Sequence, residues 1–213
     1  MTFENALRVM GVAVAIGLLV DVPASGQVGV GILDANAASE ADLQALPHMT
    51  PAIVKGLIDK RPFASVTELH AFLLDQKLAP QQAADVYGKA FVHVNLNTGT
   101  REEIVLIPGA GTRMAREFAE YRPWKSWAQF DKEISKYVGQ AETDRLKRYV
   151  FIPLNLNTAA DADLLTIPGL GPRMLREFKE YRPYKAKEQF EKEIAKYVGP
   201  KEVARLWRFV VIE

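Results

Sequence analysis

The sequence predicts an all-α fold assembled from three tandem units of four short helices, about 60 residues each, and three observations carry that prediction. Residues 95–153 and 155–213 align without a gap and are identical at 33 of 59 positions. A more diverged copy lies at 33–93, where Asn36 answers to Asn97, Pro47 to Pro108 and Arg61-Pro62 to Arg122-Pro123. Within each copy, helix-start signals precede apolar residues at helical spacing, and no long alternating run asks for a sheet. Three copies in 213 residues imply three small units rather than one large core.

Taken in order, the chain opens on Val9 to Val20, an apolar run behind Arg8, followed by the small residues Ala24-Ser25-Gly26 at signal-peptidase spacing. A bilayer crossing needs about twenty apolar residues. Residues 1–26 are therefore expected to be a signal peptide or a short membrane anchor, and 27–32 a linker. Either reading places the folded part outside the cytoplasm, at a periplasmic or extracytoplasmic membrane surface. The copies follow at 33–93, 94–153 and 154–213. Ser39 with Asp42, Ser65 with Glu68, Thr100 with Glu103 and Ser126 with Gln129 have capping-box spacing. Met114, Phe118 and Tyr121 then mark the buried face of one helix, and Phe130, Ile134 and Tyr137 that of the next. Pro123 and Pro183 end the second helix of their copies, because proline disfavours helical geometry in the residue before it. Tyr149-Val150-Phe151-Ile152 reads as a helix end running into an extended linker. Cysteine is absent, so helix packing alone must hold the units.

The chemistry concentrates at a repeated corner. Ile107-Pro108-Gly109-Ala110-Gly111-Thr112-Arg113 returns as Ile167-Pro168-Gly169-Leu170-Gly171-Pro172-Arg173. Glycine permits positive φ and removes the side chain that would keep another molecule away. The helix start that follows presents unpaired N–H groups and the positive end of its dipole. The expected guest is an anionic oxygen, foremost a phosphate, so nucleic-acid backbone is the first partner to consider. Arg113 with Arg116, and Arg173 with Arg176, add cations three residues apart on the same helices. In the first copy the corner is Leu46-Pro47-His48-Met49-Thr50-Pro51, with both glycines gone, which marks that copy as structural or partner-binding.

Charge limits the affinity to expect. The net formal charge is +1 and the pI about 7.9, whereas a dedicated duplex binder has a domain pI above about 9. Glu117, Glu120, Glu177 and Glu180 share helices with the arginines and partly cancel them. Two intact corners neutralising about four phosphates would give a log–log salt slope near −3.6. No catalytic constellation stands out, and no cofactor is implied: His48, His70 and His93 fit no metal-ligand spacing. Among the aromatic residues, Tyr121 and Tyr181 are expected to pack against neighbouring helices, while Trp124 and Trp127 are candidates for an interface.

Asn-x-Asn-Thr, a short acidic helix, Pro-Gly-x-Gly, an amphipathic helix, Arg-Pro-aromatic and a second helical pair together resemble the helix-hairpin-helix domain of the ComEA type. That family comprises exported DNA receptors of the competence system. The resemblance extends from about residue 33 to the C-terminus, three times over. It implies a non-enzymatic, sequence-independent binder of double-stranded DNA, whose hairpin N–H groups at Gly109, Gly111, Gly169 and Gly171 contact phosphates. Ala110 and Leu170 sit between those glycines, and Arg113 and Arg173 stand where the family often has a basic residue. The second hairpins depart from the pattern, since Gly139 and Gly199 each stand without a second glycine. The alternative is a scaffold that binds a protein of a membrane complex, as the PsbU-type extrinsic subunit of photosystem II does with a similar fold.

Overall fold

The computed structural model describes residues 31–213; the expected leader at 1–26 lies outside the described residues. Over that range the chain is mostly helical. The first copy runs β1 (Leu33–Asp34), α1 (Glu40–Gln44), α2 (Pro51–Lys60), α3 (Val66–Asp75), α4 (Pro80–Tyr87) and β2 (Ala90–Phe91). The second runs β3 (Val94–Asn95), α5 (Arg101–Val105), α6 (Gly111–Glu120), α7 (Trp127–Val138), α8 (Gln140–Lys147) and β4 (Val150–Phe151). The third repeats the order as β5 (Leu154–Asn155), α9 (Asp161–Leu164), α10 (Pro172–Glu180), α11 (Lys187–Ile194), α12 (Pro200–Trp207) and β6 (Val210–Val211).

The short strands correct the expectation of an extended linker at Tyr149–Ile152. Val94 pairs with Val150 and Asn95 with Phe151 in a parallel ladder, and the same pairing joins β1 to β2 and β5 to β6. Each ladder ties the start of a copy to its end, giving buried backbone groups partners they would otherwise lack. Two residues per strand are too few to write an alternating pattern into the sequence.

Capping follows the expected residues. Ser39 and Thr100 form full capping boxes with Asp42 and Glu103. Ser65 and Ser126 accept from the Glu68 and Gln129 N–H groups, but there the return bond reaches one residue further back, to Ala64 and Lys125. The Asn-x-Asn landmark has a packing role. Asn97 donates to the Trp124 carbonyl at 3.0 Å and accepts from the Trp124 N–H at 2.6 Å, clamping the segment after the cis Arg122-Pro123 bond. Asn36 with Phe63 and Asn157 with Tyr184 repeat the clamp.

Each copy buries a cluster of aromatic and branched residues, such as Phe118, Phe130 and Ile134 in the second. Phe91 meets Tyr149 edge-on at 5.2 Å, so the cores of the first two copies are continuous. The third copy folds back on the first: Lys201 Nζ reaches the Asp59 carbonyl at 3.2 Å, and Arg208 donates to the His93 carbonyl at 3.0 Å.

At this junction the Asp34 and His93 side chains are almost fully buried, with His93 Nδ1 3.0 Å from Asp34 Oδ2. Burial pushes the Asp34 carboxyl up, but the hydrogen bond and charge from His93 and the Arg208 guanidinium outweigh it and hold it below the ordinary value of 3.8. A carboxyl depressed on folding contributes stability that is present above its unfolded pKa of about 3.9 and lost as pH falls through the folded one. Urea midpoints should therefore drop more steeply below about pH 4 in the parent chain than in Asp34→Asn. Equal acid limbs for the two proteins would exclude this role.

Candidate nucleic-acid interface

Ile107 is buried and anchors the end of the first corner, and Gly109 then turns with φ +77°. Ala110 is the N-cap of α6; it tucks inward, and its N–H bonds the Ile107 carbonyl at 3.0 Å. Gly111 follows at φ +62°. Gly109 and Gly111 are solvent-exposed, and their N–H groups have no acceptor among the described residues. A Cβ on Gly111 would meet nothing within 4 Å, so the approach there is open.

Arg113 and Arg116 project from the exposed side of α6. The Arg113 guanidinium lies over the Tyr137 ring at 5.2 Å, and Arg116 Nη2 bonds Glu117 Oε1 at 2.9 Å. Glu117 is buried, and the Arg116 hydrogen bond holds its carboxyl below the usual range. Of the two carboxylates expected to cancel the basic face, Glu117 is turned inward and still pairs Arg116, while Glu120 stays exposed within electrostatic reach of that arginine. With Arg101, Thr112, Ala115 and Ala119, the two arginines line a groove of 670 Å³. Arg101 has no ion-pair partner among the described residues.

The third copy differs. Gly169 keeps φ +75°, and Leu170 is buried as Ala110 is. Gly171, however, adopts φ −90°, extended backbone that any residue can take. The reason is Pro172, which pushes the residue before it out of the helical regions, so α10 starts one position later than α6. The expectation that both glycines of this corner serve positive φ therefore fails at Gly171. Arg173 and Arg176 are exposed, but Asp161 replaces Arg101 and bonds Lys179 at 2.8 Å, at the positions of Arg101 and Ala119. A Cβ on Gly169 would sit 3.6 Å from Ala37 of the first copy, so this corner faces a neighbour.

In the first copy His48 occupies the left-handed position at φ +62°, and its Nε2 lies 2.9 Å from Asp85 Oδ2. Thr50 accepts from the Ile53 N–H, which satisfies a donor that a ligand would otherwise meet. His70 bonds the Tyr87 hydroxyl and His93 bonds Asp34, so the three histidines do not gather. No group of metal-ligating side chains and no membrane-length apolar helix occurs among the described residues.

Sequence reasoning did not place two further cations at the corners, although it noted Arg145 with Arg148 as a basic pair on one helix. Arg145 and Arg205 flank Gly109 and Gly169, each held bidentately by Glu142 or Glu202 at 2.6–2.7 Å. Asp85 stands at the equivalent position beside His48, so the charge at the corner reverses in the first copy. The repeat alignment contained that signal. Trp124 is not an interface residue: it is 1% exposed, and its Nε1 donates to the Phe118 carbonyl at 2.8 Å. Trp127 is half-buried edge-on against Phe130; in the third copy Trp207 of α12 lies against the equivalent Phe190. Tyr121 and Tyr181 pack as expected, each bonding the hydroxyl of Tyr137 or Tyr197 at 2.8 Å.

No family model matches the chain, and no curated protein or solved structure matches it.

Proposed function

We propose that the chain is an exported protein of three tandem helix-hairpin-helix units that holds duplex DNA by its backbone, without reading sequence and without catalysis. The observation that supports this reading most is the Gly109–Gly111 corner. It combines exposed, unbonded N–H groups, an open approach, a helix N-terminus and a groove carrying three arginines. The second copy carries the main contact, through Gly109, Gly111, Arg113 and Arg116. The corner at Gly169 to Arg176 contributes less, because the first copy stands beside it. That fold-back also favours a second reading, in which the repeats are a scaffold for a protein at the extracytoplasmic membrane face.

Random-sequence duplex titrated against the full chain at two salt concentrations tests the proposal. Neutralising about two to four phosphates gives a log–log slope between roughly −1.8 and −3.6. No binding at low salt would leave only the scaffold reading.

A further inference from the structure

An arginine can be held in two ways. A carboxylate takes its N–H groups, whereas an aromatic ring attracts its charge through the guanidinium face and leaves the N–H groups at the rim free. Arg113 is held in the second way. Its guanidinium lies over the Tyr137 ring at 5.2 Å, and its N–H groups have no acceptor among the described residues. The ring is fixed in turn: the Tyr137 hydroxyl bonds that of Tyr121 at 2.8 Å and lies beside the buried Glu117 carboxylate, which takes Arg116 at 2.9 Å.

The third copy keeps the same residues but not the contact. Tyr181 and Tyr197 share a 2.8 Å hydroxyl bond, and Glu177 lies beside Tyr197. Arg173 and Arg176 are nevertheless exposed, with no side-chain partner among the described residues. The copies differ at the helix start: Gly111 turns at φ +62° and opens α6, whereas Gly171 is extended and α10 begins at Pro172. Resting on the DNA-binding reading above, we infer that Tyr137 is a positioning residue for that binding, one that holds the Arg113 guanidinium by its face and leaves its donors free for a phosphate.

A long side chain loses rotamer freedom when it grips a ligand, and that loss weakens binding. Over Tyr137, Arg113 has given up part of this freedom before the duplex arrives, and it stands beside Thr112 and Arg116 in the groove that Arg101 closes. Arg173 has not, so the second copy gains an advantage that the same residue types do not supply in the third. An exposed cation–π contact has a strength that corresponds to about a two- to fivefold change in affinity.

Labelled random-sequence duplex is titrated with the full chain at low salt and followed by fluorescence anisotropy, with thermal melts to check that each variant folds. Tyr137→Leu should weaken binding about two- to fivefold, whereas Tyr137→Phe keeps the ring and should bind as the parent does. Tyr197→Leu, the equivalent change in the third copy, should leave affinity unaltered. In an Arg113→Ala chain, Tyr137→Leu should have no further effect, which separates holding Arg113 from general packing. Nuclear relaxation at the arginine Nε–H groups of the free chain should show Arg113 more ordered than Arg173, and Tyr137→Leu should erase the difference. The inference is overturned if folded Tyr137→Leu binds as tightly as the parent, if it weakens binding equally in the Arg113→Ala chain, or if Arg113 moves as freely as Arg173 in the parent. A parent chain that binds no duplex defeats the DNA reading instead, and the relaxation comparison still decides whether Tyr137 holds Arg113.

Discussion

Gly111→Leu is expected to weaken duplex binding at least about tenfold while the chain stays folded. Its Cβ meets nothing within 4 Å, so the new side chain projects into solvent where a phosphate would sit. The left-handed φ of +62° adds a local cost of about 1–2 kcal/mol, which a small shift in melting temperature will report separately. Losing one charge-assisted hydrogen bond costs about 1.5–3 kcal/mol, and 1.4 kcal/mol is tenfold in affinity. Gly171→Leu is the internal control. Its backbone is extended and its corner stands beside the first copy, so duplex affinity should change by less than about threefold. Anisotropy at low salt with both variants separates the outcomes. A folded Gly111→Leu chain that binds as tightly as the parent would remove the second-copy corner from the interface.

Trp124→Ala should destabilise the chain by about 3–5 kcal/mol, read as a lower urea midpoint. The indole is 1% exposed and packs on Phe130 at 5.2 Å and Tyr121 at 5.9 Å. Its removal leaves a large hole beside the Asn97 clamp and strips the Phe118 carbonyl of its donor. Trp124→Phe keeps much of the ring but not the donor, so a smaller loss of about 1–3 kcal/mol is expected. Trp127→Ala, at a half-buried site, should cost less than Trp124→Ala. Matching losses for Trp124→Ala and Trp127→Ala would contradict the burial that distinguishes them.

Several features of the candidate site were legible because they are local. A Pro-Gly-x-Gly stretch ahead of an amphipathic run specifies a tight corner and a helix start within seven residues, and Gly109, Gly111 and Arg113 stand as that reading placed them. The capping residues were legible for the same reason. Arg145 was harder to find: it lies some 35 residues from Gly109 and reaches it only because α8 packs beside the corner. Trp124 was misread because an aromatic residue after Arg-Pro carries no periodicity of its own. Contacts remote in sequence hold it inward: the Asn97 clamp on its backbone, and the Phe118 carbonyl and Phe130 ring on its indole.

By itself the sequence determined the helical class, the threefold repeat, the helix starts and the loss of the corner at His48, since periodicity, capping and glycine spacing act within a few residues. The tertiary structure alone decided that Glu117 turns inward, that the ends of each copy pair as strands and that the third copy closes on the first. These outcomes depend on where residues distant in sequence meet, and related repeats occupy different surroundings once the chain folds back on itself.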